Sequence, residues 1–159
     1  MSEHSKAVLF DIDKQGVATV TLNRPEKHNA FDDILISELT RIFKQVAIDP
    51  TVRVMVLQST GKSFCAGADL HWMKRMAEYS YEQNLADANA LANMLQALYC
   101  LPKPTIAKVQ GAAFGGAVGL VACCDIAIGT KLSKFCLSET KLGLIPATIS
   151  PYVIEAIGA

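Results

Sequence analysis

Apolar-rich runs at residues 8–12 and 17–22, the second alternating with threonine from Ala18 to Leu22, read as two strands. Asp13-Lys14-Gln15-Gly16 between them is turn chemistry. Leu35, Leu39, Ile42, Phe43 and Val46 then recur at helical spacing, with Asp32 or Asp33 available to cap the helix start. Residues 53–58 contain Val54, Met55, Val56 and Leu57, a continuous apolar run suited to a buried parallel strand, and 59–63 read as a loop. A second helical stripe runs through Tyr81, Leu85, Ala88, Ala92, Leu95 and Leu98, closed by Pro102 and Pro104. Residues 105–109 and 125–128 have strand character, and 116–123 are helical. Strands alternating with helices predict an α/β fold with a parallel sheet and crossover helices. The length of 159 residues fits one domain, 1–159.

Two small-residue segments interrupt this pattern: Phe64-Cys65-Ala66-Gly67-Ala68-Asp69-Leu70 and Gly111-Ala112-Ala113-Phe114-Gly115-Gly116-Ala117-Val118-Gly119. Each leads into an apolar, helix-like run. Such junctions leave backbone N–H groups unpaired at a helix start, and small side chains let a ligand approach the backbone. Tight helix–strand packing is the other use of such residues. Two junctions in one fold can aim one N–H each at the same carbonyl oxygen, forming an oxyanion hole.

The pair resembles the corresponding segments of the enoyl-CoA hydratase/isomerase (crotonase) family. Four further stretches are similar in the same order: 23–31 (Asn-Arg-Pro-Glu-Lys-His-Asn-Ala-Phe), 102–107, 124–128 and 138–146 (Ser-Glu-Thr-Lys-Leu-Gly-Leu-Ile-Pro). The resemblance implies a spiral core of ββα units with a parallel sheet and crossover helices. It implies an acyl-CoA substrate and no cofactor, coenzyme A being part of the substrate. Matched residue by residue, it places the oxyanion donors at Ala68 and Gly116 and the proton carrier at Glu139. CoA is expected along Arg24, Lys27 and His28 of the first loop, and along Ala66, Asp69, Leu70 and His71 beside the first donor, with Gly115 preceding the second. Leu137, Leu142, Leu144 and Ile145 would desolvate the Glu139 carboxyl.

Two departures from the family pattern shape the functional reading. Two-glutamate hydratases of the family carry a second carboxylate where this chain has Gly119. The leading expectation is addition of water to an α,β-unsaturated acyl-CoA; an enoyl-CoA isomerase using Glu139 alone, and a non-catalytic CoA-binding or assembly protein, are the alternatives. The wording of 111–128 and 137–152 resembles bacterial hydratases of methylglutaconyl-CoA or carboxygeranoyl-CoA, from leucine and isoprenoid breakdown. The second departure is length, since family members continue with C-terminal helices that cover the acyl pocket. Residues 81–98 and 149–157 should therefore leave apolar faces uncovered, which predicts either self-association, as trimers or dimers of trimers, or poor solubility of this chain alone.

Composition narrows the field further. A hydrophobic content of 51% with net charge 0 and mean hydropathy +0.27 gives no electrostatic argument for nucleic acid or an anionic membrane as partner. The apolar run 112–124 stops at Asp125, short of the about 20 residues of a membrane helix. Five cysteines, an odd count without C-x-x-C spacing, read as reduced thiols of a cytoplasmic protein, with Cys123 and Cys124 buried. His4, His28 and His71 lack metal-ligand spacing. Two S-x-x-K matches, at 59–62 and 138–141, have no companion motif, and Val56 occupies the place of a phosphate loop's first glycine.

Overall fold

The computed structural model describes residues 6–158, so His4 and the first five residues lie outside it. Strands β1 (Val8–Ile12) and β2 (Val17–Leu22) pair antiparallel, Val8 opposite Leu22. Asp13 closes their turn by accepting from the Gln15 and Val17 N–H groups at 2.8 and 2.9 Å, and Gly16 supplies the positive φ of +82°. Helix α1 (Asp33–Ile48) follows. Of the two candidate caps Asp32 takes the position, accepting from Leu35 N–H at 2.9 Å. All five residues of the α1 stripe are fully buried.

The chain crosses over through α1 to β3 (Val54–Ser59), which lies parallel to β2. Helices α2 (Leu70–Met76) and α3 (Tyr81–Tyr99) precede β4 (Thr105–Val109), parallel to β3. After β5 (Ala112–Phe114) and α4 (Gly116–Ala122), β6 (Ile126–Gly129) completes a five-stranded sheet in the order β1-β2-β3-β4-β6. Asp125 ties the starts of β4 and the edge strand β6 together: its carboxylate accepts from Thr105 N–H and hydroxyl at 2.7 and 2.8 Å. Strand β7 (Lys134–Cys136) pairs parallel with β5 in a separate two-stranded sheet. A 3-10 turn (Glu139–Leu142) and helix α5 (Ser150–Ile157) follow.

Three local expectations change. The segment 111–119 is not one lead into a helix, because Ala112–Phe114 form β5; three residues are too few to display a strand period. In α3 only the C-terminal half is buried, through Met94, Leu95 and Leu98, whereas Tyr81 and Leu85 are 75% and 46% exposed and Ala88 is exposed too. Cys123 is buried as expected, but Cys124 is only half-buried.

Candidate active site

The first small-residue segment is short-paired on both sides. Cys65 N–H donates to Ala112 C=O at 3.1 Å, and Phe114 N–H donates to Cys65 C=O at 3.0 Å. Gly67, at φ +92°, lies so close to Phe114 that a Cβ there would sit 2.9 Å from its carbonyl oxygen. Only glycine allows this backbone to pass. The two junctions therefore run side by side, although 45 residues of sequence separate Gly67 from Ala112.

On its other side the segment meets the first loop. Ala66 N–H donates to His28 C=O at 3.0 Å, Phe31 N–H to Gly67 C=O at 2.8 Å, and Asp69 N–H to Phe31 C=O at 2.7 Å. Ala68, bracketed by the last two, donates no hydrogen bond to any described residue, and neither does Gly116 N–H. The free Ala68 N–H arises from this bridge to Phe31 rather than from a helix start, since the cap of α2 is Asp69.

Gly115 adopts φ +56° and ψ −128°, a region L side chains rarely enter, and donates to Cys136 C=O at 2.8 Å. A Cβ there would lie 3.3 Å from Glu139 Oε1. This close approach puts the carboxylate beside the Gly115–Gly116 peptide. Glu139 Oε2 is buried and accepts no hydrogen bond from the described residues, an arrangement that costs free energy unless the site has a use for it. Of the neighbours expected to desolvate it, Leu144 and Ile145 line the same cavity as Glu139, and all four of Leu137, Leu142, Leu144 and Ile145 are 40–79% exposed.

Ala68, Gly116 and Glu139 line one cavity of about 430 Å³ together with Phe31, Trp72, Met73, Met76 and Leu91. Trp72 and Asp87 drew no attention as a sequence pair. Trp72 is 4% exposed, and its indole N–H donates to Asp87 Oδ2 at 3.1 Å, joining α2 to α3 on the cavity wall. No lysine, arginine or histidine is among the described residues of the lining.

The other site residues divide in two. Lys27, His28, Ala66, Leu70 and His71 are exposed on the adjoining loops 24–31 and 64–71. Arg24 and Asp69 are committed internally. Arg24 pairs with the α1 cap Asp32 at 2.6 Å, and Asp69, 7% exposed, caps α2 through the His71 and Trp72 N–H groups at 2.8 and 3.1 Å. Burial opposes ionisation of Asp69, but those N–H donors and Lys27, 3.5 Å away, outweigh it and hold the carboxyl below its ordinary 3.8. Asn29 was a motif residue without an assigned role. Wholly buried at positive φ, it locks the loop by donating to the Thr60 and Ser63 carbonyls and accepting from Arg24 N–H.

Burial pushes the Cys65 thiol up to about 12, so it is a neutral packing group and not a nucleophile at neutral pH. At Gly119, any Cβ would overlap Cγ2 of Ile149. The place where the resemblance led us to look for a second carboxylate is filled from α5's N-cap. Among the described residues no three His, Cys, Asp or Glu side chains are grouped to hold a metal ion, and no helix is long and apolar enough to cross a membrane.

A family model described as enoyl-CoA hydratase/isomerase matches residues 13–159. An enoyl-CoA hydratase, ACTT6 of Alternaria alternata, is 40% identical over 147 residues, covering 92% of this chain and 47% of its own. A 1,2-epoxyphenylacetyl-CoA isomerase of Escherichia coli is 37% identical over 142 residues, 87% of this chain and 53% of its own. The crystal structure of a Legionella pneumophila protein described as an enoyl-CoA hydratase/isomerase (crotonase) superposes with a TM-score of 0.93 at 52% identity, covering 96% of this chain and 58% of that one. The chain thus spans about half the length of the curated relatives it matches.

Proposed function

Because the chain belongs to the enoyl-CoA hydratase/isomerase (crotonase) family, we propose that its cavity receives the acyl group of an α,β-unsaturated acyl-CoA and that the protein is an enoyl-CoA hydratase. One observation carries this reading: two unpaired backbone N–H groups, on Ala68 and Gly116, border the same apolar cavity as a carboxylate with an unpartnered buried oxygen. In the proposed reaction, water oxygen bonds to the β-carbon while the C=C electron pair moves onto the thioester oxygen. The two N–H groups stabilise that enolate more than the ground-state carbonyl. Glu139 carries the proton that water loses and that the α-carbon gains. The CoA moiety runs along the exposed strip of Lys27, His28, Ala66, Leu70 and His71, with Lys27 as a point charge for phosphate. Arg24 and Asp69 act behind that strip by holding the two loops.

The second reading is an enoyl-CoA isomerase, in which Glu139 removes a proton from one carbon and returns it to another. Sealing of the Gly119 position by Ile149 favours it, because a second carboxylate has no place there, and Asp87, the other carboxylate of the lining, is bonded to the Trp72 indole. For the acyl group, an apolar lining without cations among the described residues favours a hydrocarbon chain. Methylglutaconyl-CoA and carboxygeranoyl-CoA carry a carboxylate that would find no partner there, and only the wording of 111–128 and 137–152 speaks for them. Assembly into trimers or dimers of trimers and a cytoplasmic location complete the proposal.

Incubation with crotonyl-CoA and methylglutaconyl-CoA, with products resolved chromatographically, tests it. Formation of a 3-hydroxyacyl-CoA is expected. Double-bond migration without water uptake selects the isomerase, and tight acyl-CoA binding with no product selects a non-catalytic binding protein.

A further inference from the structure

Phe31 touches both proposed donors. Its N–H and C=O bond to Gly67 C=O and Asp69 N–H, at 2.8 and 2.7 Å, so the backbone of Phe31 brackets Ala68. Its ring packs on the other donor: a Cβ built on Gly116 would lie 2.7 Å from Phe31 Cε2. The ring is 1% exposed, and the residue also lines the cavity. The loop that carries it is fixed by the buried Asn29. Among the described residues that line the cavity, Phe31 alone pairs by backbone with the Ala68 segment while its side chain abuts Gly116.

We propose that Phe31 is a positioning residue that sets the spacing of the Ala68 and Gly116 N–H groups, an inference that rests on the oxyanion reading above. Two donors stabilise one oxygen only when both point at the place where charge develops, and displacements near 1 Å cost about a hundredfold in rate. The backbone bridge holds one donor in register with residue 31. The ring then acts as a fixed spacer to the other, and glycine at 116 is what lets the ring come so near.

The test uses F31L, which keeps the backbone bridge and most of the volume, together with G116A and the double variant. With crotonyl-CoA, F31L is expected to lower kcat about tenfold while KM stays within about threefold, in a protein that still melts cooperatively at a somewhat lower temperature. G116A forces the ring and the donor apart and lowers kcat as well. The double variant should recover activity over G116A, because leucine vacates the space that the added methyl needs, so the effects are not multiplicative. A readout independent of turnover is the near-ultraviolet band of enolised acetoacetyl-CoA. Bound wild type should show it and F31L should lose most of it at equal occupancy.

Unchanged kcat and enolate band in F31L, or single effects that simply multiply, would overturn the role of Phe31 and leave the oxyanion reading standing. A wild-type protein that neither turns over crotonyl-CoA nor enolises acetoacetyl-CoA would overturn both.

Discussion

Glu139→Gln keeps the shape of the side chain beside Gly115 and removes its ability to carry a proton. General acid–base groups contribute about 10²–10⁴ in rate, so kcat should fall at least about a hundredfold while acyl-CoA affinity changes little. Steady-state kinetics beside calorimetric binding of butyryl-CoA checks this, and near-full hydratase activity would remove Glu139 from the mechanism. Gly119 invites the opposite kind of test. Alanine normally stabilises a helix interior by up to about 1 kcal/mol over glycine, which predicts a gain for G119A from local structure alone. Its Cβ, however, overlaps Ile149 Cγ2 and lies 2.8 Å from Ile149 Cβ, and overpacking costs about 1–3 kcal/mol. G119A should therefore be net destabilised in urea unfolding, and the loss should be smaller in a background that already carries I149A, where the Cγ2 contact is gone. Glutamate at 119 would meet the same obstruction, so reinstating a second carboxylate there needs a smaller residue at 149.

At the scale of elements, the caps of α1 and α2 are the joints that hold the site loops. Asp69 fastens α2 and its folded-state pKa lies below the ordinary 3.8, through the Trp72 and His71 N–H groups and Lys27 working against burial. The folded protein thus binds this proton less readily than the unfolded chain. Its stabilising contribution is complete above about pH 5 and is lost as pH falls through 3.8 towards the folded-state value. Asp69→Asn keeps a capping side chain but removes the charge, so it should lower stability at neutral pH by about 0.3–1 kcal/mol, and the two unfolding curves should converge as pH falls below about 5. A gap between the proteins that stays constant over this range would show that Asp69 acts by shape alone. Asp32 caps α1 by accepting from Leu35 N–H and pairs with Arg24. This explains why a basic residue of the first loop serves packing while Lys27, three positions on, remains exposed.

Across the whole molecule, apolar surface is concentrated around the late elements. Ile126 and Ile128 of β6 are 51% and 57% exposed, Leu132 79%, Phe135 50% and Ile157 81%. Beside them lies a cavity of about 820 Å³ bordered by Val118, Val121, Tyr152 and Val153. Contiguous apolar faces of this kind mark surfaces that something covers, and β6 adds an unpaired strand edge. The 159-residue chain expressed by itself is expected to self-associate or to lose solubility, as light scattering over a concentration series would show. A stable monomer at high concentration would refute this and weaken the proposed trimer.

Much of this fold was legible because its signals are local. The hairpin at 8–22, the α1 stripe and the buried runs at 54–57 and 105–109 each carry their period within a few residues, and the structure places β1, β2 and β4 at the expected bounds. The candidate donors and Glu139 were legible only through resemblance, since nothing in a lone alanine, glycine or glutamate announces a role. The approach of Glu139 to Gly115, the filling of the Gly119 position by Ile149, and the contact of Phe31 with Gly116 join residues 24 to 85 positions apart. Half of the α3 stripe stays exposed because no described element packs over it. Periodicity and turn chemistry determine which segments become strands and helices, since those preferences act between neighbours along the chain. Which donors face one cavity, which charges are tied up in caps and where no side chain fits depend on close packing between distant segments, and that was decided by the tertiary structure.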